Sequence, residues 1–527
     1  MHHTSIHNEG RVQTARHEAT TGAFATQRGI LAAMILAAVA ILGSKPVLGA
    51  AAGSEAIRLL PQNPRYFEYE ANPVVLVGSG EHYGAVLNPD FDFEKYLATL
   101  QRDGVNYTRL FAGYYVEPPG AFGIARNTLA PARERFLAPW ARSAEGGYGG
   151  GGNRFDLTQW DTNYLARVKA FLTEARRRTI FVELTLFCST YGDQQWAVHP
   201  LNPTNNVNGP RSVDWRSLHT QTNGAAFEVQ AALTRHLVRE LNGYGNLFYE
   251  IQNEPWADNH SMGDCVSPYM TEARQFPNAV EIPTPETVAW QRAIAGIIVA
   301  EEANLPLKHL IAQNIANFRL PVAASDLVPE AGILNFHYAF PEAATWNHAW
   351  DRAVGCDETG FAGRDDATYR REAWQFLFSG GGLFNHLDYS FSVGYETGTD
   401  TEPNGPGGGS PALRRQLGML RRFLEWFDLR DLRPVPASTV RAPGAAVWAL
   451  GSYPRQLAVY LEARGVETLT VDLPAANYGI EWLDPVSGQT RHKESRKHPG
   501  GTLKLAVPFA PASGPLALAI TQNTPPP

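Results

Sequence analysis

The chain has 527 residues, which exceeds what one ordinary hydrophobic core accommodates and predicts two to four domains. Its 44% hydrophobic and 18% charged residues are typical of a folded globular protein and exclude a largely disordered chain. The net charge of −7 argues against nucleic acid as a partner, and the one dense basic run, at 491–497, is expected to be a solvated hairpin end.

The N-terminus has the pattern of a secretory signal. Arg11, Arg16 and Arg28 precede an apolar run at 30–43, and small residues follow at 47–53. The apolar run is shorter than the roughly 20 residues that a membrane-spanning helix needs. We therefore expect residues 1–52 to be a signal segment cleaved near Ala50–Ala52, which predicts a secreted or periplasmic protein without a membrane span. An uncleaved anchor is the alternative.

From residue 65 the sequence alternates short apolar runs with amphipathic stretches. Helical spacing occurs six times, at 91–104, 161–177, 225–242, 286–303, 366–379 and 411–427. Strand patterns occur eight times, at 65–78 (the second arm of a hairpin), 106–113, 179–187, 246–253, 309–316, 333–340, 353–361 and 381–391.

This alternation predicts an α/β fold, a (β/α)₈ TIM barrel over residues 55–432. Long strand-to-helix connections at 114–160, 189–224, 254–285 and 392–410 indicate that these loops build the functional face. Two of them contain glycine-rich runs, at 146–152 and 404–410, which lack the Lys-Ser/Thr of a phosphate loop and are expected to be mobile rim loops.

After residue 433 the pattern changes to period-two alternation separated by turn residues. No helical stretch interrupts it. The segment 433–523 is therefore predicted to form a small antiparallel β-sandwich.

The three cysteines, Cys188, Cys265 and Cys356, cannot all pair, which excludes a disulfide scaffold. Buried free thiols are expected, with a Cys188–Cys265 bridge as the alternative. The sequence has no CxxC spacing, so a zinc site has little support, and neither a metal nor an organic cofactor is expected.

The fourth predicted strand ends in a carboxylate with unusual neighbours. Glu254 follows Asn253 and precedes Pro255 and Trp256, at the point where the strand leaves the sheet. A surface glutamate at a strand end is the simple interpretation. An amide donor and an indole ring beside one carboxyl instead favour sugar binding, because a flat ring stacks on the apolar face of a sugar.

Glycoside hydrolysis usually needs a second carboxylate. Glu358, at the end of the seventh predicted strand, would share an inward face with Val354 and Cys356, whereas Asp357 would point away. Asp388, after the eighth strand, is the rival candidate.

These residues together resemble the retaining clan A glycoside hydrolases. The resemblance rests on Gln-Asn-Glu-Pro-Trp at the fourth strand, a Glu at the seventh, Arg109 at the second and His337-Tyr338 at the sixth. Cellulase-like members of glycoside hydrolase family 5 are one comparison. Another is an apiosidase-like barrel followed by a sandwich named a putative collagen-binding domain, which residues 65–84, 369–382 and 466–490 resemble.

The resemblance implies a role for each matching residue. Glu254 would be the general acid/base and Glu358 the nucleophile, with Arg109 keeping Glu358 ionised and Tyr338 or His337 holding it in line. Asn253 would bond the sugar 2-hydroxyl. A packed core histidine is the alternative for His337. The chain departs from the cellulase pattern at the eighth strand, where Asn385, His386 and Asp388 stand instead of a Trp, and in lacking an evident His soon after the third strand.

Five further residues are candidates for holding sugar. They are Glu81, His82 and Tyr83 after the first strand, and Trp196 and Trp256 in loops, where packing is the alternative for each Trp. The predicted function is a secreted retaining glycosidase that acts on a polysaccharide or its side chains. A non-catalytic carbohydrate-binding protein on the same scaffold and a metal-dependent hydrolase are the alternatives.

Overall fold

The computed structural model describes residues 55–264, 279–316, 321–401, 405–436, 438–462, 465–508 and 514–523. The predicted signal segment and Cys265 lie outside these residues. Cys188 and Cys356 are buried free thiols. None of the helices in the described part of the chain combines the length and apolar character that crossing a bilayer requires.

The predicted barrel is confirmed. Eight parallel strands pair in chain order, and the eighth pairs with the first to close the sheet. Each lies within or next to its predicted segment. The strands are β1 Leu76–Gly80, β2 Tyr107–Phe111, β3 Phe181–Cys188, β4 Leu247–Asn253, β5 Ile311–Ile315, β6 Ile333–His337, β7 Ala353–Glu358 and β8 Leu383–Leu387.

Eight α-helices occur in the described residues, and five of the longer ones begin at a side chain that caps the first turn, at Asp92, Asp161, Thr284, Asp365 and Ser410. Their bounds are α1 Phe93–Asp103, α2 Thr162–Arg177, α3 Asp193–Val198, α4 Ala226–Leu241, α5 Pro285–Glu302, α6 Ala343–Trp346, α7 Asp366–Phe378 and α8 Pro411–Leu424. Short 3₁₀ turns lie at Ala121–Gly123, Trp215–Ser217 and Ala324–Asp326.

The barrel interior changes from apolar to polar within two residues along six of the eight strands. The first layer takes one buried apolar side chain from each strand: Leu76, Tyr107, Phe181, Phe248, Ala312, Ile333, Ala353 and Leu383. Two residues further on, the same face carries Gly78, Arg109, Glu183, Glu250, Asn314, Asn335, Gly355 and Asn385. The amino-terminal end is therefore sealed, and polar groups collect towards the carboxyl ends of the strands.

Short antiparallel strands form small sheets that are separate from the barrel sheet. Arg58–Leu60, Asn63–Tyr69 and Asn72–Val74 form a three-stranded sheet before β1. The glycine-rich run at 146–152, expected to be a mobile loop, is the turn of a hairpin of Trp140–Gly146 and Asn153–Trp160, and its Tyr148 is buried. A further pair is His260–Asp264 with Ala279–Pro283.

The predicted C-terminal β domain is confirmed as two antiparallel sheets around their own core. The domain bounds 55–432 and 433–523 stay a prediction. A six-stranded sheet has the order β9-β11-β12-β17-β14-β15, and a three-stranded sheet has the order β10-β13-β16. The strands are β9 Arg433–Pro434, β10 Val440–Arg441, β11 Ala446–Ser452, β12 Gln456–Glu462, β13 Thr468–Leu473, β14 Ala476–Leu483, β15 Thr490–His498, β16 Gly501–Ala506 and β17 Pro515–Gln522.

The basic run lies in β15, an edge strand whose side chains are largely exposed. Lys493 pairs with Glu481 at 2.7 Å. Charged side chains on an edge strand oppose pairing with strands of other chains. This role explains the basic run without the need for a polyanionic ligand.

The six-stranded sheet packs one face against the barrel helices α7 and α8. Trp374 of α7 is fully buried and stacks on Tyr460 of β12, with ring centroids 5.0 Å apart. Phe423 of α8 packs on the same indole at 5.5 Å. The β domain therefore shares an aromatic core with the outside of the barrel.

We expect Trp374→Ala to lower the free energy of unfolding by about 3–5 kcal/mol, because it leaves a cavity in this aromatic core. Trp426→Ala, which removes an indole that is 48% exposed, is the matched control and is expected to cost under about 1 kcal/mol. Urea denaturation measures both, and equal losses would contradict the shared core.

Candidate active site

A cavity of about 60 Å³ opens at the carboxyl ends of the barrel strands. Seven of the eight strands contribute described residues to its wall, directly or through the loops that follow them. The lining residues are His82, Tyr83, Phe111, Tyr115, Glu117, Phe122, Ile124, Leu129, Cys188, Tyr191, Asn253, Glu254, Tyr338, Glu358, Phe361 and Tyr389.

Two carboxylates face each other in this cavity. Glu254 follows β4, and Glu358 is the last residue of β7. Their nearest oxygens lie within 4.8 Å of one another. The Glu254 side chain is 16% exposed and that of Glu358 is 9% exposed, so both carboxylates are largely shielded from bulk water but remain accessible from the cavity.

Glu358 is held by two donors. The Tyr338 hydroxyl donates to Oε1, and Nη1 of Arg109 donates to Oε2 at 3.2 Å. Both carboxylate oxygens are therefore fixed by donors that stabilise a negative charge.

Glu254 is held by a different pair of side chains. Nδ1 of His337 lies 2.9 Å from Oε1, and the Tyr191 hydroxyl donates to Oε2 at 2.8 Å. The backbone N–H of Glu254 also donates to Oδ1 of Asn314 at 2.9 Å. The turn after β4 is thus tied to the neighbouring strand β5.

Asp357, predicted to point away from the site, lies in the barrel interior instead. It is fully buried, and its oxygens lie 3.3 Å from Nε of Arg109 and 3.5 Å from Nε2 of His337. The pairing of β6 with β7 shifts at this point, because Phe336 pairs with Cys356 and His337 pairs with Glu358. Alternation holds as far as Asp357, because Ala353, Gly355 and Asp357 share the inward face while Val354 and Cys356 pack outside, so the prediction had chosen the wrong face of this strand. Glu358, which follows the extra residue, lines the cavity as well.

Arg109 is a fully buried cation in the barrel interior. It pairs with Glu250, Asp357 and Glu358, and its guanidinium lies 4.9 Å from the centre of the Tyr83 ring. Burial raises the pKa of Glu250 to about 7 although Arg109 opposes the rise. Burial also raises the pKa of Glu183 well above its usual value, and the charges of Glu250 and Asp357 add to the effect.

His337 lies between carboxylates that favour its protonated, positively charged form. Burial disfavours that charge, but Glu358 and Asp357 raise the pKa of His337 well above its ordinary value. Burial would likewise raise the pKa of Glu254, yet the hydrogen bond and charge of His337 outweigh it and lower that pKa. Both shifts favour a proton on His337 and an ionised Glu254.

Asn253 presents an acceptor to the cavity. Its Nδ2 donates to the Tyr191 hydroxyl at 2.7 Å. Its Oδ1 is buried and has no hydrogen-bond partner among the described residues. A ligand hydroxyl is the kind of group that this atom lacks.

His82 and Tyr83 both line the cavity, as the loop after β1 places them there. Nε2 of His82 lies 3.4 Å from the Glu117 carboxylate, and its ring stacks on Tyr389 with centroids 5.7 Å apart. Burial would lower the pKa of His82, but Glu117 raises it above the usual value.

The structure places four other sequence candidates outside the cavity wall. Glu81 is fully buried and accepts from the Thr128 hydroxyl and from the backbone N–H of Gly84. Trp256 packs edge-on against His337 at 5.8 Å, and Trp196 packs on the buried His199 at 5.3 Å. Asp388, the rival second carboxylate, is fully buried and binds Arg414 of α8 at 2.7 Å. Packing explains both indoles, and a structural ion pair explains Asp388.

Several lining residues were not predicted from the sequence. Tyr191 and Glu117 lie in long loops where no periodicity applies, so the sequence contained no spacing signal for them. Tyr389 lies in the segment 381–391 predicted as the eighth strand, two residues beyond the point where β8 ends. Backbone strain marks the site instead. Of nine non-glycine residues with positive φ in the described part of the chain, five line the cavity: Tyr83, Phe122, Tyr191, Glu254 and Tyr338. Such conformations cost about 1–3 kcal/mol each and concentrate at functional sites.

Two clusters of three side chains are compact enough to hold a metal ion, Glu254–His337–Glu358 and Glu183–Glu250–Asp357. The donors in the first cluster do not suit one. A protonated His337 offers no lone pair, and Arg109, Tyr338 and Tyr191 already donate to the carboxylate oxygens. The second cluster surrounds Arg109, whose charge opposes a cation.

Comparisons with known proteins found the fold in solved structures. No family model and no curated protein matched the chain. A protein of Bacteroides vulgatus ATCC 8482, described provisionally as a glycoside hydrolase, superposes with a TM-score of 0.61 at 12% identity, covering 90% of this chain and 84% of that one. A structure titled glycoside hydrolase gives 0.59 at 13%, covering 90% and 98%. A glycoside hydrolase family 5 protein of the same Bacteroides strain gives 0.59 at 11%, covering 89% and 94%. Because these identities are low, the comparisons show that the chain shares the fold of these glycoside hydrolases and nothing finer.

We expect Arg109→Gln to destabilise the chain by about 3–5 kcal/mol at pH 7, because it leaves buried carboxylates unpaired. Burial raises the pKa of Asp357, but Arg109 and His337 outweigh it and hold that pKa below its usual value, so the stability that Asp357 contributes in the wild type is lost only below that usual value. Without the guanidinium, the buried carboxylates take up protons at higher pH, which relieves part of the cost as pH falls. The cost of Arg109→Gln should therefore be smaller at pH 4 than at pH 7.

Denaturant unfolding of Arg109→Gln at the two pH values measures this cost. Arg135→Gln, which removes a half-exposed arginine paired with Asp90, is the control and is expected to cost under about 1 kcal/mol. A pH-independent cost of Arg109→Gln would contradict the assignment.

Proposed function

We propose that the protein is a secreted retaining glycoside hydrolase that cleaves O-glycosidic bonds of a polysaccharide or its side chains. The observation that carries the proposal is the pair Glu254 and Glu358, whose oxygens lie within 4.8 Å of one another. Retaining enzymes separate their carboxyl groups by about 5–5.5 Å, whereas inverting enzymes need about 6.5–9.5 Å to admit a water molecule. The fold shared with solved glycoside hydrolases supports the same reading.

Glu358 is the nucleophile in this proposal. Arg109 and Tyr338 donate to both of its oxygens and hold one of them towards the cavity. It attacks the anomeric carbon as the bond to the leaving oxygen breaks, which forms a covalent glycosyl ester. Asn253 lies beside Glu254 with a free acceptor for the sugar 2-hydroxyl.

Glu254 is the general acid and then the general base. It must give a proton to the leaving oxygen, yet the raised pKa of His337, which lies 2.9 Å away, and the lowered pKa of Glu254 favour that proton on the imidazole. We infer that the two groups share one proton, which passes through Glu254 to the leaving group. In the second half-reaction Glu254 takes a proton from water, the water oxygen attacks the anomeric carbon, and Glu358 is released.

The proposed location follows from the N-terminal segment. A cleaved signal over residues 1–52 would deliver the barrel to the cell exterior or the periplasm. N-terminal sequencing of the exported protein tests this, and a mature chain that retains residues 1–52 would contradict cleavage.

Substitution of either glutamate is expected to abolish glycoside cleavage. Glu254→Gln should lower kcat by about 10²–10⁴-fold, and Glu358→Gln by more than about 10⁴-fold. With Glu254→Ala and an activated aryl glycoside, azide should restore turnover and give a glycosyl azide of retained configuration.

The panel for this test is aryl glycosides and plant polysaccharides, assayed with and without EDTA. Activity lost with EDTA would favour a metal-dependent hydrolase. A wild-type chain that binds carbohydrate but cleaves nothing in the panel would favour a non-catalytic binding protein. Inverted products would contradict the double displacement.

The pH profile should depend on His337. Because the pKa of His337 is raised, the shared proton persists above neutral pH and is lost as pH rises through that pKa. In His337→Asn, Glu254 must hold the proton alone, so the alkaline limb of kcat/KM should move to lower pH. An alkaline limb of kcat/KM that stays at the pH of the wild type in His337→Asn would contradict proton sharing.

A further inference from the structure

One wall of the cavity carries a carboxylate that the proposed chemistry does not use. Glu117 lies in the loop after β2, and its side chain is only 3% exposed. Three neighbours fix it: the Tyr115 hydroxyl donates to Oε1 at 3.1 Å, Nδ2 of Asn127 donates to Oε2, and Nε2 of His82 lies 3.4 Å away. A buried carboxylate held this firmly beside a cavity is a built binding group rather than a surface charge.

The same wall has polar atoms that nothing in the described chain satisfies. Nδ1 of His82 and the hydroxyl of Tyr389 are buried without a hydrogen-bond partner. Oδ1 of Asn253 is a third such atom in the cavity. Leaving a buried polar atom unpaired is unfavourable, and a ligand with several hydroxyl groups, each both donor and acceptor, would satisfy all three.

The charge of the lining restricts the ligand further. Glu117, Glu254 and Glu358 line the cavity, and no Lys or Arg occurs among its described lining residues. A uronic acid or another anionic sugar would be repelled by these carboxylates, and His82, the basic side chain of the described lining, is already paired with Glu117. The lining therefore favours an uncharged sugar.

The size of the cavity restricts the length of the ligand. A volume of about 60 Å³ accommodates about four to six water molecules, which is the scale of one sugar ring rather than a chain. Two rings lie exposed at its edge: Phe122, 47% exposed and edge-on to Tyr191 at 5.3 Å, and Phe361, 53% exposed and edge-on to Tyr338 at 5.1 Å. Tyr191 and Tyr338 bond the two glutamates, so these exposed rings flank the position of the cleaved bond.

We propose that Glu117, His82 and Tyr389 form a recognition wall that binds one uncharged sugar residue at a chain end. Phe122 and Phe361 contact the next sugar residue of that chain, which is the leaving group of the cleaved bond. The enzyme then removes single terminal sugars and does not cleave within chains. This inference rests on the proposed glycosidase function and assigns its substrate class.

Binding of free monosaccharides tests the wall without catalysis. The probes are neutral hexoses and pentoses and the matching uronic acids, titrated into the full chain and followed by calorimetry or ligand-observed NMR. We expect at least one neutral sugar to bind, Glu117→Ala to weaken it about 10- to 100-fold, and Tyr389→Phe to weaken it less. Glu134→Gln, an exposed glutamate in the same loop, is the control and should bind as the wild type does.

Three results would overturn the recognition wall. They are binding of a uronic acid in preference to its neutral counterpart, unchanged affinity in both Glu117→Ala and Tyr389→Phe, and no binding by any sugar in the panel. Tyr389→Phe removes one hydroxyl only, so it keeps the test valid if Glu117→Ala does not fold.

Product analysis tests the terminal mode of attack. A monosaccharide should be the sole early product from every polysaccharide that is cleaved, and early oligosaccharides would overturn this part of the inference. Neutral sugar that binds through Glu117 while no glycoside is cleaved would instead refute the proposed glycosidase and leave the recognition wall standing.

Discussion

The candidate site depends on one buried cation. Arg109 lies in the sealed barrel interior with no exposed surface and contacts Glu250, Asp357 and Glu358. A lone charge in such surroundings would be costly, and each of these carboxylates would be costly without Arg109. The pairing therefore fixes side chains from β2, β4 and β7 in one arrangement, and Glu358 receives its orientation as part of that arrangement.

The second constraint is the proton balance around His337. Burial, with the charges of neighbouring carboxylates, raises the pKa values of Glu183 and Glu250. Burial acts in the same direction on Asp357 and Glu254, but Arg109 and His337 lower the pKa of Asp357, and His337 lowers that of Glu254. His337 contacts both Asp357 and Glu254 and links the buried interior to the cavity. The two glutamates of the proposed mechanism thus differ in their partners: Glu358 faces a guanidinium that cannot lose its proton, and Glu254 faces an imidazole that can.

Local sequence patterns were sufficient for the barrel and insufficient for parts of its site. Strand and helix periodicity placed all eight strands, because each element buries an apolar face of fixed period. For β7 the prediction applied this period to the wrong face, because Ala353, Gly355 and Asp357 point inward. Glu358 lines the cavity after a register shift between β6 and β7 that alternation does not anticipate. Trp196 and Trp256 show the related difficulty that the sequence does not distinguish an indole that packs on a histidine from one that lines a cavity.

The sequence by itself determined the β/α alternation, the C-terminal β domain and the placement of Glu254 and Glu358 at strand ends, because these follow from local periodicity and from where a strand stops. Only the tertiary structure decided which carboxylates face one another and that Asp388 forms an ion pair with Arg414. It also decided that Glu117, Tyr191 and Tyr389 line the cavity. These contacts join residues far apart in the chain through loops without a repeating pattern. Their positions depend on barrel closure and on pairing of buried charges, which no local spacing records.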